Sequence, residues 1–255
     1  MLLRWKASVY IIFYYSIIQF KDGIHLRYGW QIPGIPAYCV CGTKNTIDHT
    51  LTCKLGGHLI FRHNRVRDVN AEFLREVCTD VKTEPELLPI SESRNLKGKI
   101  AEGARLDIAA RGLYGPLQKT MFDVRIFHAN AASYRSREIA SVYAQHETEK
   151  RKNYEQRVIQ VEKCSFTPLV YSTTGGMAPR AQQFHQRLAK MIAQKKNEQY
   201  GDVIGFMRTK LSFCLLKSVL ISIRGDKGKR NSQNRETPVS CLSFNLIPNG
   251  LEDED

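Results

Sequence analysis

The sequence predicts an α/β fold in which helices flank a mixed sheet. Residues 104–127 alternate apolar and polar side chains on both sides of a Gly-Pro turn, a pattern typical of two half-buried strands in a hairpin. The stretch SFTPLVYSTTGG, residues 165–176, predicts a further strand that ends in a Gly-Gly turn. Helical periodicity before, between and after these strands gives the order helix, strand, hairpin, long helix, strand and covering helices.

Size and charge limit the possible functions. The 255 residues, 42% of them hydrophobic and 25% charged, suffice for a folded core. A net charge of +13 favours a polyanionic partner. Nucleic acid is expected rather than a membrane surface, because no basic amphipathic helix with a broad apolar face is present. The seven cysteines do not form a secreted disulfide framework, and three of them are expected in the core: Cys78, Cys164 and Cys214.

The N-terminal segment, residues 1–20, differs from the rest of the chain. Val9 to Ile18 is almost entirely β-branched or aromatic and follows two basic residues. No A-x-A-type cleavage site follows, and the run is shorter than the ~20 residues of a spanning helix. A buried strand or helix, a segment foreign to the domain, and a signal or anchor remain alternatives. Residues 21–37 are expected to be turn-rich.

A cysteine-histidine cluster follows in YCVCGTKNTIDHTLTC. Zinc binds thiolate and imidazole in a closed tetrahedron, usually through two closely spaced ligand pairs joined by a loop. The four-residue spacing of the second pair suits the start of a helix, whereas the C-x-C spacing of the first is less common. We therefore predict zinc, with free thiols as the alternative, at four residues of a region spanning 21–60: Cys39, Cys41, His49 and Cys53.

An amphipathic helix is predicted from Arg62 to Val81, with apolar residues at three- and four-residue steps. One of its polar residues Asn64, Asp68 and Glu72 could face the hairpin, or all three could lie on a solvated face. EPELLPI is then predicted to be a short strand, and SESRNLKGKI a polar loop.

The hairpin carries two aspartates placed symmetrically about its turn. Asp107 and Asp123 would lie opposite each other, with Cβ atoms ~5 Å apart. Like charges at that distance destabilise the sheet unless a positive group lies between them, and a divalent cation such as magnesium would serve. Arg125 points to the same side as Asp123. The alternative is that both aspartates are solvated on the exposed face of an ordinary hairpin.

The long helix, predicted from Arg135 to Glu162, has an unusual buried stripe. His146 and Lys150 continue that stripe where apolar residues are expected, and a lysine facing inward is costly unless paired. Lys150, with Tyr154 one turn later, is therefore predicted to point at the carboxylates. The alternative is that the KRK run extends to solvent.

The rest of the chain is predicted to be helical and then polar. Pro179 can open the next helix, and residues 203–224 form a core helix, since three basic residues interrupt it. The predicted divisions are a core at 61–178, C-terminal helices at 179–225, and a polar tail at 226–255 that is expected to be disordered.

Five motifs in order carry a resemblance that covers about residues 20–224: YCVCG…IDHTLTC, RHNRVRD, ARLDIAARG, FDVRIF and EKRKNYEQR. The sequence resembles the C-terminal region of retrotransposon reverse-transcriptase polyproteins. There a cysteine-histidine knuckle precedes a restriction-like endonuclease of the PD-(D/E)xK superfamily. The resemblance implies a restriction-endonuclease-like mixed sheet flanked by helices, with a small zinc knuckle and additional C-terminal helices.

Position by position, the resemblance implies a set of site residues. Asp107 matches the aspartate of the PD motif, although Leu106 replaces the proline. Asp123 matches the acidic residue of (D/E)xK, and Arg125 stands at its lysine position. Because guanidinium cannot act as a base, that substitution puts catalysis in question. In these enzymes the lysine is often supplied from the following helix near a tyrosine, which Lys150 or Lys152 with Tyr154 would match; the knuckle is matched by Cys39, Cys41, His49 and Cys53.

The implied activity is hydrolysis of a DNA phosphodiester with magnesium or manganese at Asp107 and Asp123. Lys150 would orient water or neutralise charge, and Arg125 would grip phosphate. DNA is the expected partner, with element RNA as a further possibility, and the nucleus is inferred from that substrate. No Y-x-D-D-type polymerase motif occurs, so a fragment, a separately encoded relative and a domesticated remnant are all expected alternatives. A binding protein without catalysis and an inert remnant are the rival functions.

Overall fold

The computed structural model describes residues 16–55, 58–88 and 105–225. In the described residues, four strands form one mixed sheet in the spatial order β1-β2-β3-β4. The first three are antiparallel neighbours, and β3 and β4 run parallel. The α/β prediction with a mixed central sheet is confirmed. The strands are β1 (Thr79–Thr83), β2 (Ile108–Arg111), β3 (Lys119–Phe127) and β4 (Ser165–Ser172).

Helices surround this sheet in the described part of the chain. A short 3₁₀ helix, Ala132–Tyr134, leads into the helix that connects β3 to β4. None of the described helices is long and apolar enough to cross a membrane. The helices are α1 (Ile17–Tyr28), α2 (Ile47–Thr52), α3 (His58–Arg75), α4 (Ile139–Gln160), α5 (Pro179–Lys196) and α6 (Tyr200–Arg224).

The sheet has packed layers on both faces. Phe122 and Val124 of β3 belong to the main core together with residues of α3, α5 and α6. Met121, on the opposite face of β3, packs with Val158 of α4. The prediction that the hairpin strands are half-buried is therefore wrong, because α4 covers the face that the polar positions were expected to expose.

The helix predicted to reach Val81 ends at Arg75 instead. Val81 lies in β1, which pairs with β2, and packs against the main core. Ladder hydrogen bonds and β-branched side chains prevail here over an apolar spacing that also fits a helix. The strand predicted in EPELLPI is wrong for the described residues 84–88, where Glu86 forms only an isolated bridge to Arg105. Residues 89–104, including the whole predicted loop, lie outside the described residues.

Residues 21–28, predicted to be turn-rich, belong to helix α1. Ser16 and Gln19 form a capping box at its start, and Gly29, with a φ of 67°, ends it in the left-handed conformation. Asp22 is buried and accepts two hydrogen bonds of 2.6 Å from Arg224 at the end of α6. Residues 1–15 and the predicted polar tail lie outside the described residues.

Two helix predictions differ at their N-terminal ends. The long helix begins at Ile139 rather than Arg135, and Ile139 is exposed. The last helix begins at Tyr200, three residues earlier than predicted. Pro179 opens α5 as predicted. Helices α5 and α6, predicted as a separate C-terminal set, contribute to the same core as the sheet.

Candidate active centre and candidate metal centre

The register of the hairpin brings the two aspartates together. Ile108 pairs with Phe122 in the antiparallel ladder, so the next positions outward are Asp107 and Asp123. Asp107 lies just before β2, where its N–H donates to the Phe122 carbonyl at 3.2 Å. Its Oδ2 atom accepts a hydrogen bond of 2.5 Å from the Val124 N–H. The two carboxylates therefore lie opposite each other, as predicted.

Both carboxylates are shielded from water. Asp123 is 5% exposed, and the side chain of Asp107 is 15% exposed. The alternative that they are solvated on an open hairpin face is therefore wrong. Helix α4 crosses the face of the sheet on which they lie and removes that face from solvent.

Lys150 of α4 neutralises Asp123. Its Nζ atom lies 2.5 Å from Asp123 Oδ2, and its side chain is only 15% exposed. The same Nζ atom lies 5.6 Å from the centroid of the Tyr154 ring, within range of a cation–π contact. Lys152, the other lysine that the sequence offered for this role, is exposed. Of the two alternatives for Lys150, the inward orientation is therefore correct.

Asp123 has an unusual pKa. Burial raises it to about 6, and the negative charge of Asp107 acts in the same direction. The positive charge of Lys150 opposes this shift without cancelling it. The pKa of Tyr154 is also raised, chiefly by burial and then by the charge of Asp123. A buried acid with a pKa displaced toward neutrality is the kind of group that functional sites contain.

Arg125 lies on the same face of β3 but does not contact the carboxylates. Its Nη1 atom is 3.6 Å from Glu149 Oε1 on α4, and its side chain is about one-third exposed (35%). Glu149 Oε2 in turn lies 3.7 Å from His146 Nδ1, and His146 is buried as predicted from the helical stripe. Arg125 therefore occupies the rim of the site, where a guanidinium can reach an anion at the surface.

The structure adds a residue that the sequence reasoning missed. His63, in the second turn of α3, places Nε2 at 3.2 Å from Asp107 Oδ2 and 3.1 Å from the Val124 carbonyl oxygen. Burial disfavours the charged imidazole, but the hydrogen bond and charge of Asp107 outweigh it and raise the pKa of His63. The available signal was position: His63 lies three residues before the fully buried Val66, on the same side of the helix.

The sequence also suggested that a polar residue of α3 could face the hairpin. None of the three candidates, Asn64, Asp68 and Glu72, contacts the aspartates. Asn64 Oδ1 lies 3.4 Å from Nδ1 of His63, and so touches the site only through the histidine. Asp68 pairs with Arg67, and Glu72 pairs with Lys210 of α6. The helix therefore contributes to the site through the histidine and not through its acidic face.

The cysteine-histidine cluster forms a second centre. The ligand atoms of its four residues all lie within 4.8 Å of one another. Cys39 Sγ is 3.7 Å from Cys53 Sγ, and Cys41 Sγ is 3.1 Å from His49 Nε2. Zinc–sulfur bonds of ~2.3 Å in a tetrahedron place two sulfurs ~3.8 Å apart, close to the first distance. The group could therefore hold a metal such as zinc.

Local structure explains why these four residues meet. Gly42, with a φ of 81°, turns the chain after the C-x-C pair, and its N–H donates to the Cys39 carbonyl. Thr46 caps α2 by accepting a hydrogen bond from the His49 N–H. His49 then lies in the first turn of α2, and Cys53 directly follows that helix on the same side.

The two centres differ as metal sites. Among the described residues, the cysteine-histidine cluster is the sole group of three or more cysteine, histidine or carboxylate side chains with ligand atoms this close. Asp107, Asp123 and His63 do not form such a group as they stand, since Asp123 is directed at Lys150. A cation at the two aspartates therefore requires Asp123 to turn from Lys150.

No family model matches the chain, and the curated proteins contain no match to it. A role for either centre is therefore argued from the geometry of its own side chains.

Asp48 connects the cysteine-histidine cluster to the sheet. Its carboxylate contacts His128 Nε2 at 2.8 Å and Arg135 Nη2 at 2.9 Å. His128 directly follows β3, and its Nδ1 atom lies 2.9 Å from the hydroxyl of Thr173, just after β4. The hydrogen bond from His128 lowers the pKa of Asp48 despite partial burial. The cluster is thus held at the C-terminal ends of the two parallel strands.

Proposed function

We propose that the protein is a metal-dependent DNA endonuclease of the restriction-like PD-(D/E)xK type, derived from a retrotransposon, with a zinc knuckle beside the nuclease core. One observation carries the proposal. Two carboxylates from adjacent strands lie opposite each other in a buried position, with a lysine from the following helix 2.5 Å from one of them. An ordinary hairpin has no structural need for this arrangement, because burying charged groups is costly.

The residues fit a hard divalent cation by chemistry, since carboxylate oxygens are the ligands that magnesium and manganese prefer. Asp107 and Asp123 would hold the ion. When bound, it would polarise the scissile phosphate and lower the pKa of a bound water. Asp123 has a pKa of about 6, so near pH 7 it is mostly ionised and available as a ligand.

The remaining residues would position DNA and balance charge. Lys150, released from Asp123, would orient the attacking water or neutralise charge on the phosphate. Tyr154 limits where the Lys150 ammonium can move, because its ring lies beneath it. Arg125, at the rim, would hold a phosphate of the DNA backbone. The net charge of +13 would draw the polyanion to the surface.

A second candidate is a nucleic-acid-binding protein without catalysis. One observation favours it: Asp123 is already paired with Lys150, and Asp107 with His63. Lys150 supplies a positive charge and His63 donates a hydrogen bond, so the opposed carboxylates can persist without a cation. On this alternative the cysteine-histidine cluster and the basic surface bind DNA, and the carboxylate centre only stabilises the fold.

Plasmid nicking separates the two candidates. The full chain is incubated with supercoiled DNA and magnesium or manganese, beside Asp123→Ala and Lys152→Ala. The nuclease proposal predicts metal-dependent nicking that Asp123→Ala abolishes and Lys152→Ala retains, since Lys152 is exposed on the same helix. Salt-sensitive DNA binding without nicking in any of the three proteins would overturn the nuclease in favour of the binding protein. Equal nicking by all three would identify a contaminant and also contradict the assignment.

A further inference from the structure

The position of His63 suggests a role beyond its hydrogen bond to Asp107. Its Nε2 atom has two partners, Asp107 Oδ2 at 3.2 Å and the Val124 carbonyl oxygen at 3.1 Å. A carbonyl oxygen can only accept, so Nε2 carries the hydrogen and donates it to both oxygens. Three potential ligand atoms, one nitrogen and two oxygens, therefore meet around one hydrogen.

The spacing of these atoms matches a metal coordination shell. Adjacent ligands in an octahedron with bonds of ~2.1 Å lie ~3.0 Å apart. The distances from Nε2 to the two oxygens are close to that value. A cation that takes the place of this hydrogen would contact the nitrogen and both oxygens. The ring would bind as the neutral Nδ1–H tautomer: a charged imidazole would release its Nε2 proton to solvent, and a neutral one would move its proton from Nε2 to Nδ1 through solvent.

The surroundings favour this use of the histidine. Its side chain is 31% exposed, so an ion and its waters can approach from solvent. The backbone holds the oxygen ligands, since Asp107 Oδ2 also accepts the Val124 N–H. Asp123 lies opposite Asp107 in the register of the hairpin, so its carboxylate would complete the shell after turning from Lys150.

We propose that His63 is a ligand of the cation held by Asp107 and Asp123, and that it gives this centre a preference for first-row transition-metal dications over magnesium. The inference rests on the proposed cation site. Its chemical basis is the ligand type: imidazole suits transition metals, whereas an all-oxygen site suits magnesium. His63 would thus determine which metal supports the reaction.

Electron spin-echo spectroscopy of bound Mn²⁺ tests this directly. The full chain is first loaded with zinc, which occupies His49, and is then given Mn²⁺. A histidine ligand imposes a ¹⁴N modulation on the Mn²⁺ signal. We expect that modulation in the wild-type protein, and its loss in His63→Ala and in Asp107→Asn. His25→Ala is the matched control and should keep it, because His25 lies on α1 and bonds the Gln31 carbonyl.

Affinity measurements give the second readout. Titration should show that His63→Ala binds Mn²⁺ at least about tenfold more weakly than the wild type. Loss of a residue that only hydrogen-bonds a metal ligand already has an effect of that size. The affinity for Mg²⁺ should fall less, so the preference for Mn²⁺ narrows. His63→Gln supplies a second variant that retains a side chain of similar reach.

The outcomes distinguish the inference from the nuclease proposal. Mn²⁺ that binds with a dependence on Asp107, without ¹⁴N modulation and with unchanged affinity in both His63 variants, would overturn the role of His63 and leave the nuclease proposal standing. Absence of any Asp107-dependent Mn²⁺ binding would overturn both. The wild-type spectrum needs no variant, so a folding failure of His63→Ala does not weaken the test.

Discussion

The cysteine-histidine cluster and the carboxylate centre lie in one fold, but they stand ready for metal to different degrees. In the cluster, four ligand atoms converge within 4.8 Å, and their partners in the structure are one another. In the carboxylate centre, Asp123 is already paired with Lys150, and Asp107 is already hydrogen-bonded to His63. The first is suited to a permanent structural metal. Under the proposed function, the second would take an ion that competes with side chains, as an exchangeable catalytic ion does.

The largest expected effect is the loss of zinc when a cysteine of the cluster is replaced. Cys53→Ala should reduce bound zinc from about one ion per chain to almost none, because a closed site loses a quarter of its ligands. The short helix α2, which has six residues, should unfold when the zinc is lost. Metal analysis and limited proteolysis across residues 37–55 check both effects. Cys164→Ala is the matched control, since Cys164 is a buried core cysteine; equal zinc loss in both variants would contradict the assignment.

The carboxylate centre should fail differently, by loss of stability. Lys150→Ala leaves Asp123 buried without its partner, and breaking such a pair costs roughly 3 kcal/mol. Uptake of a proton by Asp123 limits the cost. Lys152→Ala, two residues away and exposed, should change the free energy of unfolding by less than about 0.5 kcal/mol. Denaturant unfolding measures both, and equal effects would show that Lys150 is not paired in solution.

Coupling between the aspartates is a finer test. Asp107→Asn should lower the pKa of Asp123 from about 6, because burial raises that pKa and the charge of Asp107 raises it further. Carboxyl NMR across a pH titration reports the midpoint, with Glu155→Gln as a control, since Glu155 pairs with Arg151 and not with either aspartate. A midpoint that does not move in Asp107→Asn would mean that the two carboxylates are not neighbours in solution.

The raised pKa of Asp123 also makes the stability of the folded protein depend on pH. The pKa of Asp123 in the folded protein is above its ordinary value of 3.8. The stabilisation from protonated Asp123 is therefore complete below pH 3.8 and is lost as the pH rises through about 6. Ligand capacity has the opposite trend, since only the ionised carboxylate binds a cation. Nicking should accordingly decline as the pH falls through 6, and a rate at pH 5 equal to that at pH 7 would contradict it.

The smallest expected effect concerns the contact that joins the two centres. Asp48→Ala should lower the free energy of unfolding by about 1 kcal/mol, since its hydrogen bonds are charge-assisted but partly exposed. Zinc content should stay near one ion, because Asp48 is not among the four ligands. Glu155→Ala breaks the exposed Arg151–Glu155 pair and should cost less than about 0.5 kcal/mol. Loss of zinc in Asp48→Ala would show that the cluster needs the contacts of Asp48 in order to bind zinc.

The two centres also differ in how well the sequence predicts them. The cluster depends on local spacing: His49 and Cys53 are one helical turn apart, and a turn at Gly42 brings back the first pair. The opposition of Asp107 and Asp123 follows from symmetry about a short turn, which is also local. The inward orientation of Lys150 was one of two alternatives that the sequence left open, and it was raised because a lysine interrupts a buried stripe. These are patterns that one segment carries by itself.

Burial of the hairpin and the role of His63 depend on packing between distant segments. Alternation in residues 104–127 predicts a half-buried sheet, but α4 covers the second face. His63 lies 44 residues before Asp107, and no spacing in the sequence relates them. The end of α3 at Arg75 is likewise decided by pairing of β1 with β2. Tertiary contacts of this kind leave no periodic signal in either segment.

Crystals of the full chain soaked in Mn²⁺ would test the central claim most directly, with anomalous scattering locating the ions. We expect a manganese peak between Asp107 and Asp123, within bonding distance of an oxygen from each, and Lys150 displaced from Asp123. Zinc at the cysteine-histidine cluster, recorded at its own absorption edge, serves as the internal control. A zinc peak at the cluster with no manganese at the aspartates, and Lys150 still paired with Asp123, would contradict the account.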